Sequence, residues 1–204
     1  GIAGSFSFYP TKILTTAEGG MITTNDERIY KNAIVLREHG KSRLKPNLHT
    51  DIGDNWRFSE IHAVLGLQQM KKVEYIVSER TRLAKLYDNL LDGYKGVERI
   101  IIPDHVKSSY YKYIVFLPSY VDRHFIKQQL FKEYNISLTG EVYSNPCHSQ
   151  PVFKKHPDKI INNSDDQFPV TNDVCKNHIC LPLYPGLTNQ DVQYIVESLK
   201  NVFK

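Results

Sequence analysis

Lys12 sits in SFSFYPTKILTTAEGG, between a run of aromatic and hydroxyl-bearing residues and the glycine pair Gly19-Gly20. A lysine amine attacks a carbonyl carbon only when unprotonated, so chemistry there requires burial or nearby positive charge to lower its proton affinity. A lysine in a turn is ordinarily a solvated surface group. Here the neighbours are of types that hold a side chain still, and that sets Lys12 apart. Other side chains able to bind or move a proton are Ser7 in the same run, Asn55 and Arg57 in GDNWR, and Tyr143 and His148 in VYSNPCHSQ.

The spacing of apolar residues predicts the elements that carry them. Ser5 to Phe8 and Met21 to Thr24 read as two short strands around the Lys12 loop. Ile29, Ala33 and Leu36 fit an amphipathic helix capped by Asp26 and closed by Gly40. Lys41 to Arg57 has no period, and an aperiodic loop of that length is usually functional or held by a partner. Ser59 starts a helix to about Lys72 with Ile61, Val64, Leu65 and Gln68 as its stripe, and Gly66 inside it suggests the close approach of another element. A second helical stretch places Ile76, Leu83, Leu86 and Leu90 on one face and ends at Gly93. Strands are then predicted over Val97 to Ile102, Tyr110 to Leu117, Ile136 to Leu138 and Ile179 to Leu183. Asp122 to Tyr134 reads as a helix, and Pro151 to Asn172 is loop-rich. Thr188 caps a last helix with Val192, Ile195, Val196 and Leu199 on one side. Strands alternating with helices predict an α/β architecture in two parts, divided near residue 75.

The 204 residues are 41% hydrophobic and 24% charged with a net charge of +4, an ordinary globular balance without the basic block that nucleic acid binding needs. No apolar run reaches membrane-spanning length, and no signal peptide stands before Gly1. Cys147, Cys175 and Cys180 are odd in number and lack metal-ligand spacing, which favours a reducing, cytoplasmic setting. The eight histidines are scattered without a HExxH pattern, so no metal site is expected.

The motifs SFSFYPTK and EGGMITTND, then LREHGK and GDNWRFSEIHAVLGLQQM, resemble the DegT-type sugar aminotransferases, a family of pyridoxal-phosphate enzymes. YSNPCHSQPVF and LPLYPGLTNQDV are similar to motifs of that family's C-terminal lobe, so the resemblance runs nearly end to end. It implies that Lys12 binds pyridoxal 5'-phosphate as a Schiff base and afterwards shuttles a proton between substrate and cofactor carbons. It further implies that Ser7 hydrogen-bonds the cofactor phosphate and that Asn55 reaches the phosphate of a neighbouring subunit's cofactor, in a homodimer. Arg57 would bind a substrate phosphate, and Tyr143 and His148 would lie near the sugar. Read without the resemblance, Ser7 serves equally as a strand serine, Asn55 as a turn former, Arg57 as a partner of Glu60, and Tyr143 and His148 as structural groups.

Two positions depart from the family pattern: Ala17 stands where glycine is usual, a minor change, and Val142 stands where a histidine often precedes the tyrosine. The resemblance covers the family's C-terminal portion, so residues 1–74 are expected to be the tail of the large cofactor-binding domain and 75–204 a small α/β domain. The family's N-terminal half supplies the acidic partner of the pyridinium nitrogen, and without it weak cofactor binding and no amino transfer are expected. The implied activity is transfer of an amino group from an amino-acid donor, glutamate, to a nucleotide-linked keto sugar, in amino-sugar or surface-polysaccharide biosynthesis. The rival expectation is a non-catalytic interaction or regulatory module, or an inactive fragment; a related dehydratase branch carries histidine in place of the lysine, and Lys12 argues against it.

Overall fold

The computed structural model describes residues 1–45, 47–138, 140–160 and 165–203, which form a mixed α/β chain in two compact units, Gly1–Ile76 and Val77–Lys204. The first unit opens with an antiparallel hairpin of β1 (Ala3–Ser7) and β2 (Gly20–Thr24), in register from Ala3 opposite Thr24 to Ser7 opposite Gly20. Helix α1 (Glu27–Arg37) follows at once because Asp26 accepts hydrogen bonds from the amides of Arg28 and Ile29. Helix α2 (Glu60–Met70) starts where the Ser59 hydroxyl accepts from the His62 amide. Helix α3 (Val73–Leu90) begins in this unit and continues into the second.

The expected stripe of α2 does not face a core. Ile61 is 82% exposed and Val64 57%, and the closest approach is made instead by Gly66. A helix apolar on most of its circumference needs cover on more than one side, and the hairpin supplies only one.

The second unit holds the hydrophobic core. Its sheet has the order β3-β4-β5, with β3 (Glu98–Arg99), β4 (Tyr113–Phe116) and β5 (His178–Leu181) all antiparallel. Val115 and Ile179 are fully buried partners across β4 and β5, packed in one cluster with Leu83 and Tyr87 of α3, Ile126 and Leu130 of α4 (Arg123–Tyr134), and Val192 and Leu199. The last two lie on the closing helix, which begins at Asn189 behind a reciprocal cap between Thr188 and Asp191.

Four sequence expectations change. The strand predicted from Tyr110 starts only at Tyr113, because Tyr110 adopts a left-handed backbone (φ +47°) and spends its amide on the Ser108 hydroxyl. With β4 so short, only Glu98 and Arg99 of the predicted Val97–Ile102 strand find partners. Ile136–Leu138 is no strand: the left-handed Asn135 turns the chain back and the Ile136 amide caps the Leu130 carbonyl, leaving Ile136 and Leu138 to bury their side chains. The region predicted as loop carries α5 (Pro151–Lys155) and α6 (Pro169–Asn177), each opened by proline at its first turn, while residues 161–164 lie outside the described residues. The closing helix, α7 (Asn189–Val202), is as expected.

Candidate active site

Lys12 lies in the turn that joins β1 to β2, and the turn is braced from within. The Phe8 amide donates to the Gly19 carbonyl at 2.9 Å, closing the base of the loop. The Phe8 carbonyl in turn accepts from the Thr16 amide at 2.9 Å and from the Thr15 hydroxyl at 3.0 Å. The amide of Lys12 itself donates to the Tyr9 carbonyl at 2.9 Å. Thr16 is buried, with its hydroxyl bonded to the Glu18 carbonyl and its methyl against α2, where a Cβ on Gly66 would come within 2.8 Å of it. The Phe58 ring lies against Gly19 on the same side. Thus the close approach expected at Gly66 is the approach of α2 to the Lys12 turn. The turn that carries the half-buried lysine is braced at Phe8 by residues that sequence inspection had no reason to single out, Thr15 and Thr16.

Ser7, at the end of β1, is exposed and its hydroxyl accepts from the Tyr9 amide at 3.4 Å. That bond uses an oxygen lone pair and leaves the hydroxyl proton without an acceptor among the described residues. One hairpin therefore carries an amine and a donating hydroxyl. Ala17, in the same turn, has φ +67°, a conformation that costs an L-residue roughly 1–2 kcal/mol. The change from glycine is therefore not minor: it loads strain into the turn that carries Lys12.

Asn55 and Arg57 belong to a second assembly in the first unit. The segment Gly53–Arg57 is fastened to the C-terminus of α1: the amides of Asp54 and Trp56 donate to the carbonyls of Leu36 and Arg37 at 2.9 and 3.0 Å, and the amide of His39 returns a bond to Asp54. These contacts satisfy helix carbonyls that have no partner within the helix. Asn55 pairs with Glu38 through the backbone and its amide group is exposed. Arg57 does not pair with Glu60. Its Nη1 donates to Glu38 Oε1 at 2.8 Å and to His39 Nε2 at 2.8 Å, and that bond holds the Glu38 carboxyl below the usual carboxylate range. Neither Glu38 nor His39 was predicted; the only sequence signal is their place in LREHGK, because contacts 19 and 18 residues apart leave no periodic trace.

Tyr143 and His148 lie in the second unit. Tyr143 is 71% exposed, whereas His148 is buried and stacked on Phe168 with ring centroids 4.3 Å apart. The stretch before them is pinned twice. The Val142 amide donates to His178 Nε2 at 3.1 Å, and Glu141 pairs with Lys127 of α4. Burial, the largest single influence, raises the Glu141 carboxyl, but the Lys127 bond, a backbone hydrogen bond and the nearby charges of Lys127 and Arg123 together hold the group below its ordinary range. His178 therefore takes the place of an anchor for this segment, its Nδ1–H donating to the Val174 carbonyl at 2.6 Å. Among the described residues no cluster of His, Cys, Asp or Glu could hold a metal ion, and no helix is long and apolar enough to cross a membrane.

Solved structures of the same fold define the class. An aminotransferase of the DegT DnrJ EryC1 StrS type from Brucella abortus superposes with a TM-score of 0.84 at 26% identity, over 98% of this chain and 51% of that one. Helicobacter pylori PseC, an aminotransferase of pseudoaminic acid biosynthesis, superposes with a TM-score of 0.77 at 26% identity, over 99% of this chain and 53% of that one. The fold is an aminotransferase fold. Residues 1–200 match the DegT/DnrJ/EryC1/StrS aminotransferase family, and the chain belongs to it.

Among curated relatives, the Bacillus subtilis spore coat polysaccharide biosynthesis protein SpsC is 28% identical over 100% of this chain and 54% of its own length. The Campylobacter jejuni UDP-4-amino-4,6-dideoxy-N-acetyl-beta-L-altrosamine transaminase is 26% identical over 98% of this chain and 52% of its own. The chain spans about half the length of the curated relatives it matches. Aminotransferases of this family use pyridoxal phosphate, and a candidate sugar aminotransferase of Streptococcus pneumoniae has been solved in PLP and PMP forms. The donor set on the hairpin fits that group: an amine suited to the aldehyde carbon and a hydroxyl proton suited to a phosphate oxygen.

Proposed function

We propose that this chain carries the lysine-bearing portion of a pyridoxal-phosphate-dependent aminotransferase, which passes an amino group from glutamate to a nucleotide-linked keto sugar. Amino-sugar or surface-polysaccharide biosynthesis in the cytoplasm is the setting that suits such a substrate. The observation that carries the proposal is family membership across residues 1–200 with Lys12 on a turn cross-braced by Phe8, Thr15, Thr16 and Gly19. Residues 1–74 are assigned to the tail of a large cofactor-binding domain and 75–204 to a small α/β domain.

When bound, pyridoxal phosphate supplies an aldehyde carbon for amine exchange and a ring that stabilises negative charge at the substrate carbon. Lys12 Nζ would be the group that holds the cofactor, and its amine would take and return the proton at the substrate carbon. Ser7 would offer its hydroxyl proton to the phosphate, and the Asn55 amide would do the same toward the phosphate held by a second copy. Arg57 binds an anionic group of a substrate, and Tyr143 and His148 belong to the segment that faces the sugar. The exposed apolar residues of the first unit, Trp56, Ile61 and Leu67 among them, support assembly as a homodimer.

The test is attachment. On mixing the chain with pyridoxal phosphate, borohydride reduction is expected to leave a covalent label on Lys12, found by peptide mapping, and Lys12→Ala is expected to abolish the accompanying visible absorption. Label on Lys31 or Lys41 with none on Lys12 removes the assignment and favours a non-catalytic module.

A further inference from the structure

The Arg57 guanidinium is only half used. Its Nη1 serves both Glu38 Oε1 and His39 Nε2, while Nε and Nη2 have no hydrogen-bond partner among the described residues. The side chain as a whole is 49% exposed. An edge made of Nε and Nη2 presents two parallel N–H donors, the geometry that matches the two oxygens of a carboxylate or of a phosphate.

Two features keep the edge in place. Glu38 and His39 fix one nitrogen from two acceptors, which limits rotation of a side chain that otherwise samples many rotamers. Their own positions are set in turn by the backbone. Glu38 bridges Asn55, and His39 is held in a left-handed conformation (φ +57°) by its amide bond to Asp54 and by the His49 ring bonded to its carbonyl. A non-glycine residue kept in that region is maintained by its surroundings. Because an arginine nitrogen can only donate, His39 Nε2 takes the accepting role in this contact.

We propose that Glu38 and His39 are positioning residues for Arg57, holding its Nε and Nη2 edge ready for an oxyanion ligand, the carboxylate of an amino or keto acid or a phosphate group. This rests on the aminotransferase reading, in which both anions are present in substrates and cofactor. The two acceptors pre-orient the fork, so binding does not have to order it.

The experiment follows the Arg57 Nε–H resonance of the chain while inorganic phosphate and 2-oxoglutarate are titrated separately. A saturable shift with one of them is expected, and which one responds distinguishes a phosphate from a carboxylate ligand. Glu38→Ala and His39→Leu are expected to weaken that binding at least about fivefold, and His39→Gln, which restores an acceptor, is expected to recover it. A purely structural role would weaken folding in His39→Leu and His39→Gln alike, so recovery in the latter alone supports positioning. The proposal is overturned if Nε–H answers to neither anion, or if Glu38→Ala and His39→Leu bind as the unsubstituted chain does. Borohydride labelling of Lys12, run on the same variants, separates this failure from failure of the aminotransferase reading.

Discussion

Replacing Gly66 by alanine tests whether α2 braces the Lys12 turn. The added Cβ would lie 2.8 Å from the Thr16 methyl, closer than side-chain carbons normally approach, so one of the two must move. Thr16 has little freedom to move: it is buried, its hydroxyl is bonded to the Glu18 carbonyl and its amide to the Phe8 carbonyl. Overpacking of this kind costs about 1–3 kcal/mol. Alanine in the helix returns about 1 kcal/mol relative to glycine, so the net cost is roughly 0–2 kcal/mol. Thr16→Ser keeps the hydroxyl and removes the offending methyl. In that background Gly66→Ala is expected to stabilise by about 1 kcal/mol, which gives a coupling of roughly 1–3 kcal/mol between the two sites. The assay is amide exchange at Phe8 and Thr16, whose bonds close the turn. A change of 1–2 kcal/mol alters exchange about 5–30-fold. Equal effects of Gly66→Ala in both backgrounds would refute the claim that this contact holds the turn.

Three further outcomes follow from the same geometry. Ala17→Gly is expected to stabilise the turn by up to about 1 kcal/mol, the left-handed strain relieved less the greater unfolded-state freedom of glycine, as measured by urea unfolding; destabilisation would show that Ala17 is not strained. Removing the Arg57 partner with Arg57→Met is expected to bring the Glu38 carboxyl back up toward its ordinary range, read from its side-chain NMR titration. Asp191 is held below its ordinary range by the Thr188 amide and hydroxyl, so its share of stability is present above about pH 4, the ordinary carboxylate range, and is lost as pH falls through the lowered value. Asp191→Asn is expected to flatten that acid limb in thermal melts followed by circular dichroism.

Where local chemistry decides the outcome, the sequence is a sound guide. Asp26, Ser59 and Thr188 cap their helices because a short oxygen-bearing side chain reaches an amide two or three residues ahead, a contact the chain makes with itself. Pro151 and Pro169 carry the same kind of signal and open α5 and α6, which the loop-like composition around them concealed. Strand length is different, because it is set by the partner. Tyr110 and Ile136 have strand-forming side chains, yet one turns left-handed and the other spends its amide on a helix end.

The sequence by itself determined the two-part α/β character, the amphipathic face of the closing helix, and a motif order specific enough to bring Ser7 and Lys12 to one hairpin as candidates for cofactor binding. Those features depend on periods of two and 3.6 residues and on motifs read in a single stretch. Only the tertiary structure decided what surrounds the candidates: Gly66 against Thr16, Glu38 and His39 on Arg57, and His178 on Val142. Each joins residues 18 to 50 positions apart in the chain. Such pairs form because folding brings unsatisfied donors, acceptors and methyl groups into reach, and no spacing rule along the chain encodes which ones will meet.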